Sequence, residues 1–188
     1  MSLGFRMHAE RTPNPNSVKW VLGQPVVDSG QGFGSVSFSE APAADVSPLA
    51  SRLFDVEGVV SILLGPDFIT LSKQPELEWT DLAPAIVGHI KAWAASGTPA
   101  LGPAWEPPDL ADQDEVVARI RKIIDEDVQP YVAMDGGEIT LAGFRDGVVE
   151  VYLRGACEGC PSSTITLRVG IEARLKEQVP EVQSVVAL

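Results

Sequence analysis

The stretch RGACEGCPSST, Arg154–Thr164, carries Cys157 and Cys160, the only two cysteines in a chain of 188 residues. Two thiols with two residues between them can form a redox couple, supply half of a zinc site, or hold one side of an iron–sulfur cluster. Composition narrows the setting. The chain has 26 acidic against 14 basic residues, a net charge of −12, which argues against general binding to nucleic acid or anionic membranes. Two cysteines are too few for a disulfide framework. No basic, then apolar, leader opens the sequence, so the thiols are expected in a reducing compartment, the cytoplasm or an organelle matrix after processing. The apolar runs fall well short of the roughly 18 residues a membrane span needs.

The elements around the cysteines decide what they can do. Ile139–Ala142 and Val148–Leu153 read as strands joined by a hairpin turn at Asp146-Gly147, and Gly136-Gly137 as a tight turn before them. Beyond the cysteines, Thr164, Leu167, Ile171, Leu175 and Val179 step by three and four, an amphipathic helix that Pro180 ends. Val182–Val186 is a last short strand. Cys157 and Cys160 therefore fall in a turn between a strand and the N-terminus of a helix. There, unpaired N–H groups and a partial charge of roughly half a unit favour thiolate over thiol. Gly155 and Gly159 let the backbone fold closely around whatever the sulfurs hold. Upstream, Asp112 and Glu115 make a capping box for a helix with Val116, Val117, Ile120, Ile123, Ile124 and Val128 on its buried stripe, ended by Pro130. The order is α-β-β-α-β.

The first half of the chain reads differently. In RTPNPNSVKW, Pro13 and Pro15 impose extended backbone, and Asn14, Asn16 and Ser17 suit turns. Val18, Trp20 and Leu22 alternate as a half-buried strand, and Val36 and Phe38 mark a second. The glycine-rich DSGQGFG between them lacks the basic residue and spacing of a phosphate loop and reads as a surface loop. Ser47-Pro48 starts a helix, VVSILLGPDFITLSK is a hairpin, and a helix from Thr80 to Gly97 aligns Leu82, Ile86, Ile90 and Trp93. That order, β-β-α-β-β-α, predicts a sheet with both helices on one face. Four prolines within GTPALGPAWEPPDL predict an extended linker. The expected organisation is α+β: two small α/β-sandwich-like domains, residues 1–96 and 111–188, joined by a proline-rich linker at 97–110. His8 is expected to be solvated and His89 structural.

Three chemistries remain for the cysteines. A thiol–disulfide exchanger would use Cys157 as nucleophile and Cys160 as resolving thiol. Against it, the Glu158 carboxylate opposes thiolate formation, no aromatic residue flanks Cys157, and the element order is not that of a parallel redox fold. Closed zinc sites take four ligands, and this chain offers two cysteines and two distant histidines, so zinc would have to bridge two chains. Iron–sulfur clusters usually want four thiolates, which a symmetric dimer would complete. A pair of inert core cysteines is the bland alternative, and a glycine-flanked loop fits it poorly.

The run MDGGEI followed by GACEGCPSSTITLRVGIEARL resembles the C-terminal domain of NifU-like (Nfu-type) iron–sulfur cluster carriers. RTPNPNSVKW resembles the start of the N-terminal domain of bacterial and mitochondrial members. The resemblance implies that Cys157 and Cys160 bind a [4Fe–4S] cluster across a homodimer. The cluster would come from an upstream donor and pass to apo iron–sulfur client proteins, a carrier's work and not an enzyme's. Asp135, Gly136 and Gly137 match the family's DGG segment, which shapes the site without ligating. The cysteine-rich assembly domain of larger NifU scaffolds has no counterpart here, which favours carriage of a preformed cluster. The cysteine-free N-terminal domain is left with partner recognition or stability.

Overall fold

The computed structural model describes residues 5–28, 34–106, 114–159 and 163–188. The architecture is α+β, with two sheets, each backed by its own apolar core. The first sheet contains β1 (Met7–Arg11), β2 (Ser17–Leu22), β3 (Val36–Phe38), β4 (Val59–Leu64) and β5 (Phe68–Lys73). They lie in the order β1-β2-β5-β4-β3, every neighbour antiparallel. Side chains alternate across a strand, so Trp20, Leu22, Ile62, Leu64, Ile69 and Leu71 share one face. That face packs on Leu49 and Leu53 of α1 (Pro48–Phe54) and on Leu82, Ile86, Ile90 and Trp93 of α2 (Trp79–Ser96). Ser47 caps α1 by accepting the Ala50 N–H at 3.1 Å, and Gly97 closes α2 at φ 67°.

One strand goes beyond the expected order, which becomes β-β-β-α-β-β-α. The extra strand β1 is an edge whose residues after Met7 are all exposed, so it carries no apolar alternation to read. His8 is exposed there, with Nε2 3.0 Å from Glu10 Oε1. The start of the proline-rich stretch lies against the first core. Ala100 is buried, its carbonyl accepts the Ser47 hydroxyl at 2.7 Å, and the Gly102 N–H donates to the Val46 carbonyl at 2.9 Å. Leu101 and Trp105 pack beside it. Residues 107–113 fall outside the described part.

The second sheet is built from β6 (Gly137–Arg145), β7 (Val148–Gly155) and β8 (Ser184–Ala187) in that order. β6 and β7 form the expected hairpin, with Asp146 and Gly147 at φ 52° and 79°, the left-handed pair that a tight two-residue turn demands. β8 returns parallel to β7 after α5 (Ser163–Gln178). The core joins Ile139, Val149, Val151 and Val185 to Ile171 and Leu175 of α5 and to Ile120 and Ile124.

The helical lead-in departs from the sequence reading twice. The cap of α3 (Glu115–Ile123) is Asp114, whose carboxylate accepts the Val116 N–H at 2.8 Å; Asp112 lies outside the described residues. Nor does the helix end at Pro130. A π-helical turn, Ile124–Val128, carries the chain into α4 (Gln129–Met134), so that Pro130 sits in a first turn, where its missing N–H costs nothing.

The outer face of the first sheet, where Ser17, Lys19, Leu63, Phe68, Thr70 and Ser72 alternate with the core residues, is not left to solvent. Leu63 and Thr70 are 0% and 1% exposed. The second half covers them through two glycines. A Cβ on Gly136 would lie 2.9 Å from Thr70 Oγ1, and one on Gly155 would lie 2.8 Å from Leu63 Cδ2. Among the described residues no helix is long and apolar enough to cross a membrane.

Candidate metal centre

β7 ends at Gly155 in a left-handed turn, φ 63°, that starts the cysteine loop. The Ala156 N–H donates to the Gly136 carbonyl at 3.1 Å, tying the loop to the Asp135-Gly136 turn before β6, which takes in Gly137 as its first residue. The Glu158 N–H donates to the Gly155 carbonyl at 3.1 Å, and Gly159 is again left-handed at φ 66°. The chain enters α5 at Ser163, so the strand–turn–helix setting expected for the cysteines is present. Cys160 lies outside the described residues.

Cys157 is buried, 6% exposed, and its sulfur faces inward. A Cβ on Gly137 would collide with Sγ and come 3.1 Å from Val132 Cγ1. Gly137 thus leaves the room that the sulfur occupies. Gly136, at φ 75°, brings the backbone against Thr70 and Lys19 of the first sheet. Both glycines of the DGG segment make these close approaches possible by lacking a side chain. Among the described residues no three His, Cys, Asp or Glu side chains gather as a metal site.

Four residues that sequence reasoning passed over surround this loop. Asn14 Nδ2 donates to the Glu158 carbonyl at 2.9 Å. Lys19 Nζ donates to the carbonyls of Ala133 and Met134 at 2.8 and 3.2 Å, at the C-terminal end of α4, where a cation also meets the negative end of the helix dipole. Its ammonium stands 4.7 Å from the Phe68 ring centroid. The Ser35 hydroxyl donates to Glu138 Oε1 at 2.5 Å. Glu138 is buried, and Oε2 has no hydrogen-bond partner among the described residues. Burial pushes its carboxyl above the ordinary glutamate range, against the opposing pull of the Ser35 bond and the Arg154 charge. The available signals were the turn chemistry of TPNPN and a glutamate directly after DGG.

Residues 120–186 match the NifU-like domain, and residues 7–97 match the N-terminal region of the Nfu/NifU scaffold protein. The NFU1 iron-sulfur cluster scaffold homolog, mitochondrial, of Homo sapiens is 43% identical over 183 residues, covering 95% of this chain and 70% of its own length. The chain belongs to the Nfu-type family. The protein of the same name from Drosophila sechellia is 40% identical over 182 residues, and the Nfu-type chain spans 63% of that relative's length. A solution NMR structure of a NifU-like protein from Saccharomyces cerevisiae aligns with 53% of this chain and 86% of its own, at 23% identity and a TM-score of 0.46. The TPNPN turn and the cysteine loop of this Nfu-type chain fall inside the two family matches.

Proposed function

We propose that this chain is an iron–sulfur cluster carrier: two copies hold a [4Fe–4S] cluster through Cys157 and Cys160 of each, and deliver it to apo-proteins. The observation that carries this reading is the placement of a two-cysteine loop between β7 and α5, in a chain with no other thiol, whose relatives are named cluster scaffolds. Four thiolates are the usual requirement of such a cluster, and one chain offers half of them. A two-fold arrangement would bring two loops and two helix N-termini to one anionic cargo. Tyr131 and Met134 on α4 and Ile165 and Val169 on α5 are large apolar residues left exposed near that end of the domain, a surface that a second copy would cover.

The division of labour follows the organisation read from sequence: residues 1–96 and 111–188 as domains and 97–110 as connection, with the cluster held by the second domain. The cluster is cargo, received from a donor and passed on, so no catalytic residue is assigned. A reducing compartment, cytoplasm or mitochondrial matrix, suits both thiolates and cluster.

Anaerobic reconstitution with ferrous iron and sulfide, followed by absorption spectra and metal analysis, tests the proposal. The expected product is coloured and holds about four irons per two chains. Cys157→Ser or Cys160→Ser abolishes stable binding while the apo fold persists. A colourless, zinc-loaded or metal-free product would overturn it, as would normal iron and sulfide content in Cys160→Ser.

A further inference from the structure

The turn between β1 and β2 is tied down more heavily than a connection requires. The Ser17 N–H donates to the Asn14 carbonyl at 3.0 Å, and the Trp79 indole N–H donates to the Pro15 carbonyl at 3.1 Å. The Thr12 hydroxyl accepts the Asn14 N–H at 3.2 Å and lies 3.0 Å from the Ser17 carbonyl oxygen. The Asn16 N–H donates to Asn14 Oδ1 at 3.0 Å. With Oδ1 engaged, the buried Asn14 carboxamide has one orientation left, and it aims Nδ2 out of the turn at the Glu158 carbonyl, 2.9 Å away. The turn is built to present that donor.

What it grips is Glu158, the first of the two residues between the cysteines, and the neighbouring bonds converge on the same place. Lys19 holds the end of α4 just before Gly136-Gly137, and Ser35 holds Glu138 just after it. The Cys157 sulfur, meanwhile, is seated inward against Gly137 and Val132. A thiolate that shares a cluster with a second copy has to leave that seat.

We infer that the Thr12–Ser17 turn is a clasp on the cysteine loop, with Asn14 as the positioning residue that holds Glu158, and so Cys157, in the inward pose. Loading the loop breaks the Asn14–Glu158 bond, and unloading allows it to reform. That consequence rests on the cluster reading above; the clasp itself does not. Through the clasp, the cysteine-free half shelters the Cys157 thiol between cargoes.

The decisive variant is Asn14→Ser in the full, reduced, metal-free chain. A serine hydroxyl still accepts the Asn16 N–H, as in an ST-turn, but it is too short to reach Glu158, and it adds no charge near the thiol. Alkylation of Cys157 by iodoacetamide, mapped by mass spectrometry, reads the exposure of the sulfur. The rate is expected to rise roughly tenfold, the size set by leaving one buried hydrogen bond unmade. Hydrogen exchange at the Asn16 amide, still slow, reports that the turn is intact. An unchanged alkylation rate with that turn intact overturns the inference. Should Asn14→Ser fail to fold, Asn14→Gly serves instead, since glycine suits a turn, adds no charge and deletes the donor to Glu158. A similar rise supports the clasp, and an unchanged rate overturns it. No iron enters this assay, so a protein that never takes up a cluster sinks the carrier reading and leaves the rate ratio standing.

Discussion

Gly137 and the Cys157 sulfur compete for one space: the position that a side chain on Gly137 would occupy is already taken by Sγ, with Val132 Cγ1 3.1 Å from the same point. The second glycine of the DGG segment is therefore a seat for the thiol. It also sets the resting orientation of the residue expected to ligate, because burial against β6 and α4 is available to the sulfur only while Gly137 stays bare.

Gly137→Ala is accordingly expected to cost the metal-free protein about 1–3 kcal/mol, the usual penalty for overpacking a filled interior. Denaturant unfolding measures it. Cys157 should alkylate faster, since the added methyl evicts the sulfur. The cluster-loaded protein should lose less stability, its sulfur having already left the seat. An equal loss in both states would show that the thiol stays inward when loaded.

Glu138 supplies a pH dependence of definite sign. Burial holds its carboxyl above the ordinary value of 4.5, so in the folded state it keeps a proton that the unfolded chain has released. Its contribution to stability is therefore full below 4.5 and is lost as pH rises through the raised folded value. Glu138→Gln fixes the neutral form and still accepts from Ser35. The variant should gain stability over the parent as buffers move from acidic to mildly alkaline, and the gain should vanish below 4.5. Urea unfolding across that range decides it. A difference independent of pH would place the charge of Glu138 in solvent.

Much of this was written in the sequence, and what was not has physical reasons. The Asp146-Gly147 hairpin, the α5 stripe and the β4–β5 pair were legible because each pairs a strong periodicity with an unambiguous turn. The edge strand β1 was not, because an exposed edge has no buried alternation to display. The π-helical turn before α4 was hidden because Pro130 reads as a stop unless the preceding turn is widened. Least legible was the contact between the halves. Ser17, Lys19, Thr70 and Ser72 look like the watered face of a sheet, yet Ser17, Thr70 and Ser72 are buried there and Lys19 reaches across to α4. Sequence pattern separates apolar from polar faces; it does not separate a polar face in water from one bonded to another domain. Cys157 and Gly137 were visible as a motif, while Asn14 and Ser35 became part of the site only through folding.

The two cores should respond separately to truncation. Leu53→Ala in the first and Ile124→Ala in the π-helical turn of the second each remove a side chain with no exposure. Each should cost about 2–5 kcal/mol, as buried large-to-small changes do. Hydrogen exchange resolved by segment should place the first loss mainly within β2, β4 and β5 and the second mainly within β6 and β7. A uniform loss across both sheets would mean that the halves unfold as one unit.

Stoichiometry offers the last and strictest check on the carrier proposal. Each chain brings two cysteines, so a cluster with four thiolate corners and a pair of chains should appear together. Without cargo, two chains of net charge −12 repel one another, and the clasp of the first half lies across the loop that would have to meet its copy. The metal-free protein is expected to sediment as a monomer and the reconstituted protein as a dimer at the same concentration, as mass action requires when a bridging ligand binds only the pair. Asn14→Ser should not make the metal-free chain dimerise, because the clasp shelters the Cys157 thiol and supplies no bridge. A loaded monomer with a full cluster would break the shared-ligand arrangement, unless a small thiol such as glutathione fills the remaining corners. Sedimentation of the loaded protein with and without that thiol separates the two: a sulfur borrowed from solution leaves when the thiol is withdrawn, and a sulfur from a second chain does not.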